Sequence, residues 1–467
     1  MSPIGTPARR AAVTVGAVVV AALLGTATPV LASGSSGRVA SASTTTATTA
    51  PTSAPTTAPT TAPTSAPTTA PTTAPTSTPT STPTSTPTST PTPEPPTPSM
   101  PPTNGPFTPG VPDDYLPPAG AKFNYPLGSR IQQRILFTHI IRSINSAPPG
   151  STIRIAVFSF QDSRTAKDLI AAYHRGVNVK LVFDATSVYP SMAQVRNAIG
   201  TDISKKSFVV FCHHSCRGTS GQMHAKYFSF SRVGTEKNVT MVGSNNLTNH
   251  NSTQQWSDLY TVVNDRPYFL LYRHWFTQLK YDTPVANPYE SKTAGDDTVD
   301  IAPLNLSQEP DPILTALQPV TCEVTEGQLD PTSPTPDKIV HSKIWVAAHA
   351  WNGNRGKAIA QQVAALQRAG CRAKVFYGVG MGGAVMAILR GSGVALRPGT
   401  HKHVRTHEKM MIFQGVYGGV PNTSLVWTGS HNWSDRALGR DDLIVRIGDP
   451  IVTAQYVAQY KWMWNHG

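Results

Sequence analysis

Apolar residues recur along most of the chain in alternating helical and strand patterns. Between residues 131 and 146 they follow helical spacing and stop at a Pro-Pro-Gly sequence, which predicts an amphipathic helix with a sharp end. Residues 153–160 and 177–183 are rich in branched and aromatic residues and predict strands, and residues 164–175 predict a helix between them. This order predicts a β-α-β unit in a mainly parallel sheet covered by helices.

The same order of elements recurs at a distance of about 185 residues. Residues 343–349 and 372–377 predict strands, and residues 356–369 predict the helix between them. The sequence therefore predicts an α/β fold of two similar lobes, each a mixed, mostly parallel sheet flanked by helices, packed as a pseudo-two-fold pair. We place the first lobe at residues 120–285 and the second at residues 286–467.

The residues before the first lobe have a different composition. Residues 1–32 combine Arg9 and Arg10, an apolar run of about 14 residues and a small-residue end, which is typical of a secretory signal peptide. A membrane anchor is the alternative, although spanning a bilayer needs about 20 apolar residues. Residues 33–119 are rich in Thr, Pro, Ser and Ala and predict a disordered linker, either a passive stalk or a glycosylated, wall-crossing one. We expect a secreted, extracellular protein.

The chain of 467 residues carries a formal charge of +13, and residues 1–105 account for +2 of it, which leaves +11 on the remainder. A charge of this size favours anionic partners such as phospholipid headgroups, nucleic acid or anionic cell wall. It carries no information about the fold.

The four cysteines form an even set, as expected of a disulfide-bonded secreted protein. Three pairings are compatible with the sequence. We favour Cys212 with Cys216 and Cys322 with Cys371, because each pair then lies within one lobe. Zinc binding by the segment from Cys212 to Cys216 is a weaker alternative, since the second ligand pair that zinc sites use is not evident.

The most polar positions of the two lobes also match. The first lobe contains the sequences Met223-His224-Ala225-Lys226 and Gly243-Ser244-Asn245-Asn246, and the second contains Thr406-His407-Glu408-Lys409 and Gly429-Ser430-His431-Asn432. On a strand, residues i and i+2 face the same side, so each His-x-Lys pair directs an imidazole and an ammonium into one site. Each Gly-Ser-x-Asn adds a hydroxyl and an amide.

Two such half-sites facing each other contain the groups that cleavage of a phosphodiester needs. The lysines and amides can hold the non-bridging oxygens as charge develops. One histidine can attack phosphorus while the other protonates the leaving oxygen. No metal or cofactor is expected, because the cations are already side chains. A metal site at His401, His403 and His407 is disfavoured by the interleaved Lys402 and Arg405.

These motifs resemble those of the phospholipase D superfamily, His-x-Lys-x4-Asp followed by Gly-Ser-x-Asn, once in each of two lobes. The resemblance covers about residues 120–467. It implies a covalent phosphohistidine formed by His224 or His407, and we favour His224 as the nucleophile and His407 as the general acid. It also implies catalytic roles for Lys226, Asn246, Lys409 and Asn432, supported by Ser244 and Ser430.

The sequence departs from this pattern at the aspartate, which is replaced by Ser231 and Gln414. Tyrosyl-DNA phosphodiesterases, in the same superfamily, also lack it. Asp258 and Asp442 stand where the family tends to place an acidic residue that hydrogen-bonds a catalytic histidine. The alternative for each is an ordinary strand-end carboxylate.

The resemblance leads to the hypothesis of a phospholipase D-like hydrolase of phosphoric diesters. We expect hydrolysis of the distal phosphoester of glycerophospholipids, phosphatidylcholine-like, at a membrane or micelle surface by a monomer without an obligate protein partner. A secreted, metal-independent nuclease is the first alternative, supported by the +11 charge. A non-catalytic protein that binds anionic ligands is the second, supported by the missing aspartates.

Overall fold

The fold is described by a computed structural model for residues 112–467; the predicted signal peptide and the linker up to residue 111 lie outside the described residues. The helices are α1 Arg130–Gln133, α2 Ile135–Asn145, α3 Ser163–His174, α4 Pro190–Ile199, α5 Asn249–Gln254, α6 Arg266–Leu279, α7 Pro312–Leu317, α8 Glu326–Leu329, α9 Gly353–Arg368, α10 Gly383–Gly391, α11 Asp435–Leu438 and α12 Pro450–His466. Within this range, none of these helices has both the length and the apolar character needed to cross a bilayer.

The strands are β1 Gly120–Phe123, β2 Thr152–Val157, β3 Asn178–Asp184, β4 Phe208–Cys212, β5 Lys226–Val233, β6 Glu236–Gly243, β7 Gln255–Trp256, β8 Asp258–Val262, β9 Glu290–Ala294, β10 Asp297–Ile301, β11 Val320–Thr321, β12 Glu323–Thr325, β13 Ile339–His341, β14 Lys343–Trp351, β15 Arg372–Met381, β16 Ala395–Pro398, β17 Thr400–His401, β18 Val404–Thr406, β19 Lys409–Tyr417, β20 Val420–Gly429 and β21 Leu443–Ile447.

The first sheet has the strand order β1-β8-β6-β5-β2-β3-β4. The predicted β-α-β unit is confirmed: β2 and β3 are parallel and α3 connects them. The sheet is mixed and flanked by helices, as predicted, but its parallel part is limited to β2, β3 and β4. The other neighbours are antiparallel. The connection between β5 and β6 shows why, since strands joined by a short turn must run in opposite directions.

The second sheet repeats this arrangement and has two additional strands, β9 and β11. Its order is β16-β15-β14-β19-β20-β21-β10-β9, with β11 paired to β19. The strands β14, β15 and β16 are parallel to one another. From β14 outwards, each neighbouring pair in the order β14-β19-β20-β21-β10 is antiparallel. The three parallel strands, the two central antiparallel strands and the two antiparallel strands beyond them thus occur in the same order in both sheets. The sequence repeat is therefore a repeat of topology.

The two sheets contact each other through a shared core and a shared strand pair. The strand β7, from the first half of the chain, pairs in parallel with β18, from the second half. The helix α12 also reaches the first sheet, where Gln455 Oε1 accepts a hydrogen bond of 2.7 Å from the Ala121 amide in β1. Side chains of both halves, including Trp256, Trp275 and Tyr456, form one buried apolar cluster. The lobes are therefore joined by buried contacts.

The chain packs against the first lobe earlier than the predicted linker boundary at residue 119. Arg142 in α2 donates to both carboxylate oxygens of Asp113, at 2.7 and 2.9 Å. The Tyr115 hydroxyl lies 2.6 Å from Nδ1 of His139 in the same helix. Residues 112–119 thus cover α2. The sequence does not predict this, because the composition of the stretch resembles a linker although it contains one residue of an ion pair and one buried aromatic residue.

The predicted cysteine pairing is confirmed. Cys212 is bonded to Cys216 with an S–S distance of 2.08 Å, and Cys322 to Cys371 with 2.15 Å. Within residues 112–467, one group of His, Cys, Asp or Glu ligand atoms is close enough together for a metal ion, and it consists of Cys212, Cys216 and Asp282. Two of its three ligands are the sulfurs of the first disulfide, and sulfurs bonded to each other are not the thiolates that zinc binds.

The two disulfides are expected to differ in their contribution to stability. Removing the Cys322–Cys371 bond by C322A/C371A, which opens a loop with a separation of 49 residues, is expected to lower the unfolding free energy by about 4 kcal/mol. The double variant C212A/C216A opens a separation of 4 residues and is expected to lose about 2 kcal/mol. Denaturant titration of both variants measures the order, and an equal or reversed order contradicts the chain-entropy argument.

Candidate active site

The two His-x-Lys sequences occupy the same position in their sheets. His224 and His407 lie two residues before the starts of β5 and β19, where these strands meet the carboxyl ends of β2 and β14. Lys226 and Lys409, the first residues of the two strands, are buried. Each ammonium donates to the backbone carbonyl of the histidine two residues earlier, and Lys409 Nζ lies 2.6 Å from His407 O. The two half-sites therefore have the same local geometry.

Backbone hydrogen bonds across the lobes bring the two half-sites together. The His224 amide donates to the Asp441 carbonyl at 3.2 Å, and the His407 amide donates to the Trp256 carbonyl at 2.9 Å. Each histidine is thus held by the chain of the opposite lobe. The pKa of Lys226 agrees with this. Burial is the largest cause of its lowering, and the positive charge of Lys409, from the other half-site, also lowers it.

His224 is oriented by a carboxylate of the other lobe. Its Nδ1 lies 2.7 Å from Oδ1 of Asp442, and the Ser430 hydroxyl donates to the same oxygen at 2.5 Å. Burial, the largest single cause, raises the pKa of Asp442, but His224, His431 and Lys226 together hold that pKa below its usual value. The ionised carboxylate can only accept, so Nδ1 carries the proton and the Nε2 lone pair is available. Burial lowers the pKa of His224 to about 3, so the ring is a neutral nucleophile at neutral pH.

Asp258 does not make the corresponding contact with His407, contrary to the expectation from the sequence. Its Oδ1 accepts from the Ser244 hydroxyl at 2.6 Å, and its Oδ2 accepts from Thr428 at 2.5 Å and from the Tyr456 hydroxyl at 2.7 Å. The carboxylate is therefore saturated by donors from both lobes. Nδ1 of His407 donates instead to the Ser244 carbonyl at 3.0 Å, which again leaves Nε2 free.

Glu408 gives a second reason for this difference. It stands between His407 and Lys409, where the first lobe has Ala225, and its side chain is fully buried. Burial, followed by the negative charge of Asp258, raises the pKa of Glu408 well above its usual value, which favours the protonated carboxyl group. Asp258 thus belongs to a buried acid pair, and its partner is not an imidazole.

The Gly-Ser-x-Asn sequences supply two amides to the site, while their hydroxyls serve the carboxylates. Ser244 and Ser430 donate to Asp258 and Asp442, so they orient the acids and are not free to bind substrate. The Oδ1 atoms of Asn246 and Asn432 are buried, and neither has a hydrogen-bond partner among residues 112–467. Because amide oxygen and nitrogen positions interchange by a flip of the group, each amide can offer N–H donors to a phosphate oxygen.

The glycines of these sequences are required by backbone contact. A Cβ on Gly243 would lie 2.3 Å from the Asp258 carbonyl oxygen, and one on Gly429 would lie 2.3 Å from that of Leu443. Atoms cannot approach so closely, so a side chain would push the strands carrying the two aspartates away from the motif. Glycine here keeps β6 close to β8, and β20 close to β21.

The residues that replace the family aspartate lie along the strands and do not reach the histidines through any hydrogen bond of the described residues. Ser231 accepts a hydrogen bond of 2.8 Å from the Thr152 amide, and Gln414 pairs with Lys343 at the far end of β14. Asp442 supplies the carboxylate for His224, so Ser231 and Gln414 leave its orientation intact.

Four residues near the site were missed by sequence reasoning. They are Phe158, whose ring centroid lies 4.9 Å from that of His224; His349, 4.7 Å from His407; Arg440, whose charge contributes to lowering the pKa of His224; and Arg355, which donates to the Asn432 carbonyl at 2.8 Å. An alignment of β2 with β14 in the sequence places His349 opposite Phe158. Nothing as simple indicates Arg440 or Arg355, which act from loops and a helix.

Residues 140–280 match the family model described as "Cardiolipin synthase, PLD-like domain". This match covers less than half of the chain and lies within the half that carries the first His-x-Lys and Gly-Ser-x-Asn sequences, so residues 140–280 are similar to a phospholipase D-like domain. A search of curated protein sequences finds no significant match.

Several solved structures are similar. The phosphatidylserine synthase of Haemophilus influenzae Rd KW20 is 13% identical, with 74% of this chain and 85% of that chain covered and a TM-score of 0.46. The polyphosphate kinase of Porphyromonas gingivalis is 10% identical, with 74% of this chain covered and a TM-score of 0.46, and this chain spans 50% of its length. Nuc from Salmonella typhimurium, a phospholipase D family member, is 21% identical, with 34% and 91% covered and a TM-score of 0.23.

The two aspartates are expected to respond differently to the same substitution. Asp442→Asn removes the charge that fixes His224 and is expected to lower kcat/KM on a chromogenic phosphodiester by about 10²-fold or more. Asp258→Asn removes an acceptor from a buried network and is expected to lower the unfolding free energy by about 1–3 kcal/mol. Steady-state kinetics and denaturation of both variants test this, and an Asp442→Asn enzyme of full activity contradicts the assigned orientation.

Oxyanion binding is expected to weaken as the pH rises. Burial lowers the pKa of Lys409 to about 7, so its ammonium loses the proton, and with it the attraction for an anion, as the pH passes through this value. The inhibition constant of tungstate, measured from pH 6 to 9, is expected to rise above pH 7. Lys409→Arg, which stays protonated over this range, is expected to flatten the curve. A flat curve in the unmodified enzyme contradicts the role of Lys409.

Proposed function

We propose that the protein is an exported phosphodiesterase of phospholipase D type that hydrolyses the distal phosphoester of glycerophospholipids. The observation that carries the proposal is the pair of histidines in one buried site, each with Nδ1 bound to a fixed acceptor and Nε2 free. The same half-sites contain two lysines and two asparagine amides, whose buried Oδ1 atoms have no hydrogen-bond partner within residues 112–467. One chain supplies both half-sites, so the proposed reaction needs no partner subunit.

In the first step, the Nε2 lone pair of His224 attacks phosphorus and an N–P bond forms. The bond from phosphorus to the headgroup oxygen breaks, and this oxygen takes the proton from Nε2 of His407. The ammonium groups of Lys226 and Lys409 stabilise the negative charge on the non-bridging oxygens as it develops. Burial, followed by the charge of Lys409, lowers the pKa of His407 well below its usual value. The anionic substrate must therefore favour protonation of this ring when it binds.

In the second step, His407 is neutral and accepts a proton from water. The water oxygen attacks phosphorus, the N–P bond breaks and phosphatidate is released. His224 returns to its neutral form. Its proton stays on Nδ1, because Asp442 accepts a hydrogen bond from Nδ1 in both steps. His407 is then protonated again, as it was with substrate bound, and it loses this proton to solvent when phosphatidate leaves. The complete cycle therefore consumes one water and no cofactor.

Apolar groups near the mouth of the site support a lipid substrate. The Phe158 ring covers His224 on one side. Val188, after β3, and Val379, near the end of β15, are exposed by 49% and 58%. Both valines follow or end parallel strands whose carboxyl ends lie at the same edge of the sheet as the histidines. Export is supported by the predicted signal peptide and by the two disulfides.

A nuclease is the second candidate, because of one specific surface. The hairpin of β17 and β18 exposes His401, Lys402 and His403 beside Arg405 and His407. A row of cationic residues next to a phosphodiester site suits the backbone of a nucleic acid.

Two substrates offered separately distinguish these functions. Purified protein in EDTA is expected to release water-soluble headgroup from phospholipid vesicles and to leave supercoiled plasmid DNA intact. The product in the lipid fraction is expected to be phosphatidate, and rapid quenching of the reaction without acid is expected to trap the phosphatidyl group on His224. Nicked plasmid without headgroup release contradicts the lipid proposal and supports the nuclease.

The histidine variants separate catalysis from binding. His224→Ala and His407→Ala are both expected to lower turnover by at least about 10³-fold, since each removes a group that the other cannot replace. His213→Ala, at an exposed loop histidine, is the matched control and is expected to retain turnover. Full activity of both active-site variants would falsify the two-histidine mechanism.

A further inference from the structure

The two walls of the site differ in polarity, and the difference begins with Phe158 and His349. The Phe158 amide donates to the Ala225 carbonyl at 3.0 Å, and the His349 amide donates to the Glu408 carbonyl at 2.8 Å. The two residues therefore hold equivalent positions beside the His-x-Lys sequences. Phe158 packs on His224, and His349 packs on His407, with ring centroids 4.9 and 4.7 Å apart.

His349 presents an unused nitrogen beside His407. Its Nδ1 lies 3.1 Å from the Thr406 carbonyl, which can only accept, so Nδ1 carries the proton. Its Nε2 has no hydrogen-bond partner among residues 112–467 and is free to bind a ligand. The side chain is partly exposed, whereas His407 is buried, so a ligand reaches His349 from the solvent side.

Arg405 adds a permanent positive charge to the same wall. It stands two residues before His407, where the first lobe has Gln222 before His224. One terminal nitrogen lies 2.5 Å from Nε2 of His250, across the lobe boundary, and Nε is buried without a partner within the described part of the chain. After burial and Lys409, the positive charge of Arg405 contributes to lowering the pKa of His349, which places the two side chains close together.

This wall lies on the side of the leaving group if His224 is the nucleophile. In-line attack puts the leaving oxygen opposite the attacking nitrogen, next to His407 and therefore next to His349 and Arg405. The nearby Glu408 offsets this charge less than an exposed carboxylate would, because burial and Asp258 raise its pKa. An anionic group on the departing alcohol is attracted to this wall, and a quaternary ammonium is repelled.

We infer that His349, Arg405 and His250 form an anion-binding subsite that selects lipids whose leaving headgroup carries a phosphate. The inference rests on the proposed function, in which His224 attacks a glycerophospholipid. It changes the expected headgroup from phosphatidylcholine to a phosphorylated polyol. The neutral His349 accepts from a headgroup hydroxyl or, once protonated, donates to the phosphate.

Matched headgroups test the subsite. Phosphatidylinositol 4-phosphate, phosphatidylinositol and phosphatidylcholine are offered singly, at low mole fraction in neutral detergent micelles, and kcat/KM is measured from headgroup release. The first two differ only in one phosphate, so their ratio measures its recognition. We expect a ratio of at least about tenfold in favour of the phosphorylated lipid, since one charge-assisted contact of 1.4 kcal/mol gives a factor of ten. We expect phosphatidylcholine to be the poorest substrate.

Substitutions taken from the other lobe locate the effect. Arg405→Gln and His349→Phe introduce the residues that the first lobe has at these positions and are expected to reduce the ratio to about 1–3, while Arg405→Lys is expected to retain most of it. Lys402→Gln removes an exposed charge from the same hairpin and is the matched control, expected to keep the ratio.

The outcomes separate the inference from the proposed function. Equal kcat/KM on both inositol lipids in the unmodified enzyme overturns the subsite and leaves lipid hydrolysis standing, and so does a preference that Arg405→Gln leaves unchanged. Release of headgroup from none of the lipids overturns the proposed function and the inference with it. The ratio in the unmodified enzyme decides the question even if a variant fails to fold.

Discussion

The structure depends on the burial of two ammonium groups and two imidazoles in the contact between the lobes. Lys226 and Lys409 are 0% and 5% exposed, and after burial the charge of Lys409 contributes to lowering the pKa of Lys226. Like charges held this way destabilise the fold unless neighbours compensate. The carbonyls of the two histidines, the ionised Asp442 and the shared apolar core provide that compensation. The arrangement leaves a concentration of positive charge without a complete set of partners, which an entering phosphodiester supplies.

This constraint also explains why the two half-sites are not identical. A strict duplicate would place a carboxylate on each histidine and give both rings the same role. Here Asp442 serves His224, whereas Asp258 is saturated by Ser244, Thr428 and Tyr456. His407 is left with a backbone carbonyl, a weaker acceptor than a carboxylate. The ring with the carboxylate is the better nucleophile, and the ring without it gives up a proton more easily.

Much of this site can be predicted from the sequence, and the contacts that cannot be predicted share identifiable physical reasons. The duplicated motifs place His224, Lys226, His407 and Lys409 in one site because strand geometry directs residues i and i+2 to the same face. Partner choice is different, since it depends on contacts between distant segments. Tyr456 donates a hydrogen bond to Asp258 from 198 residues away. Glu408 stands where the first lobe has Ala225, and its effect on Asp258 arises only because its carboxyl group is buried. The antiparallel half of each sheet was likewise hidden, because the hydrophobic pattern of a strand does not record the direction of its neighbours.

The resting protonation state links this asymmetry to substrate choice. Both active-site rings are neutral in the free protein, since burial outweighs every other influence on the pKa of each of them. His407 can act as an acid only after the substrate has brought negative charge into the site. A substrate that carries a second negative charge near His407 favours this protonation more than one with a cationic headgroup. The wall formed by His349 and Arg405 can hold that second charge where it supports the acid, so binding selectivity and proton supply are served by the same side of the site.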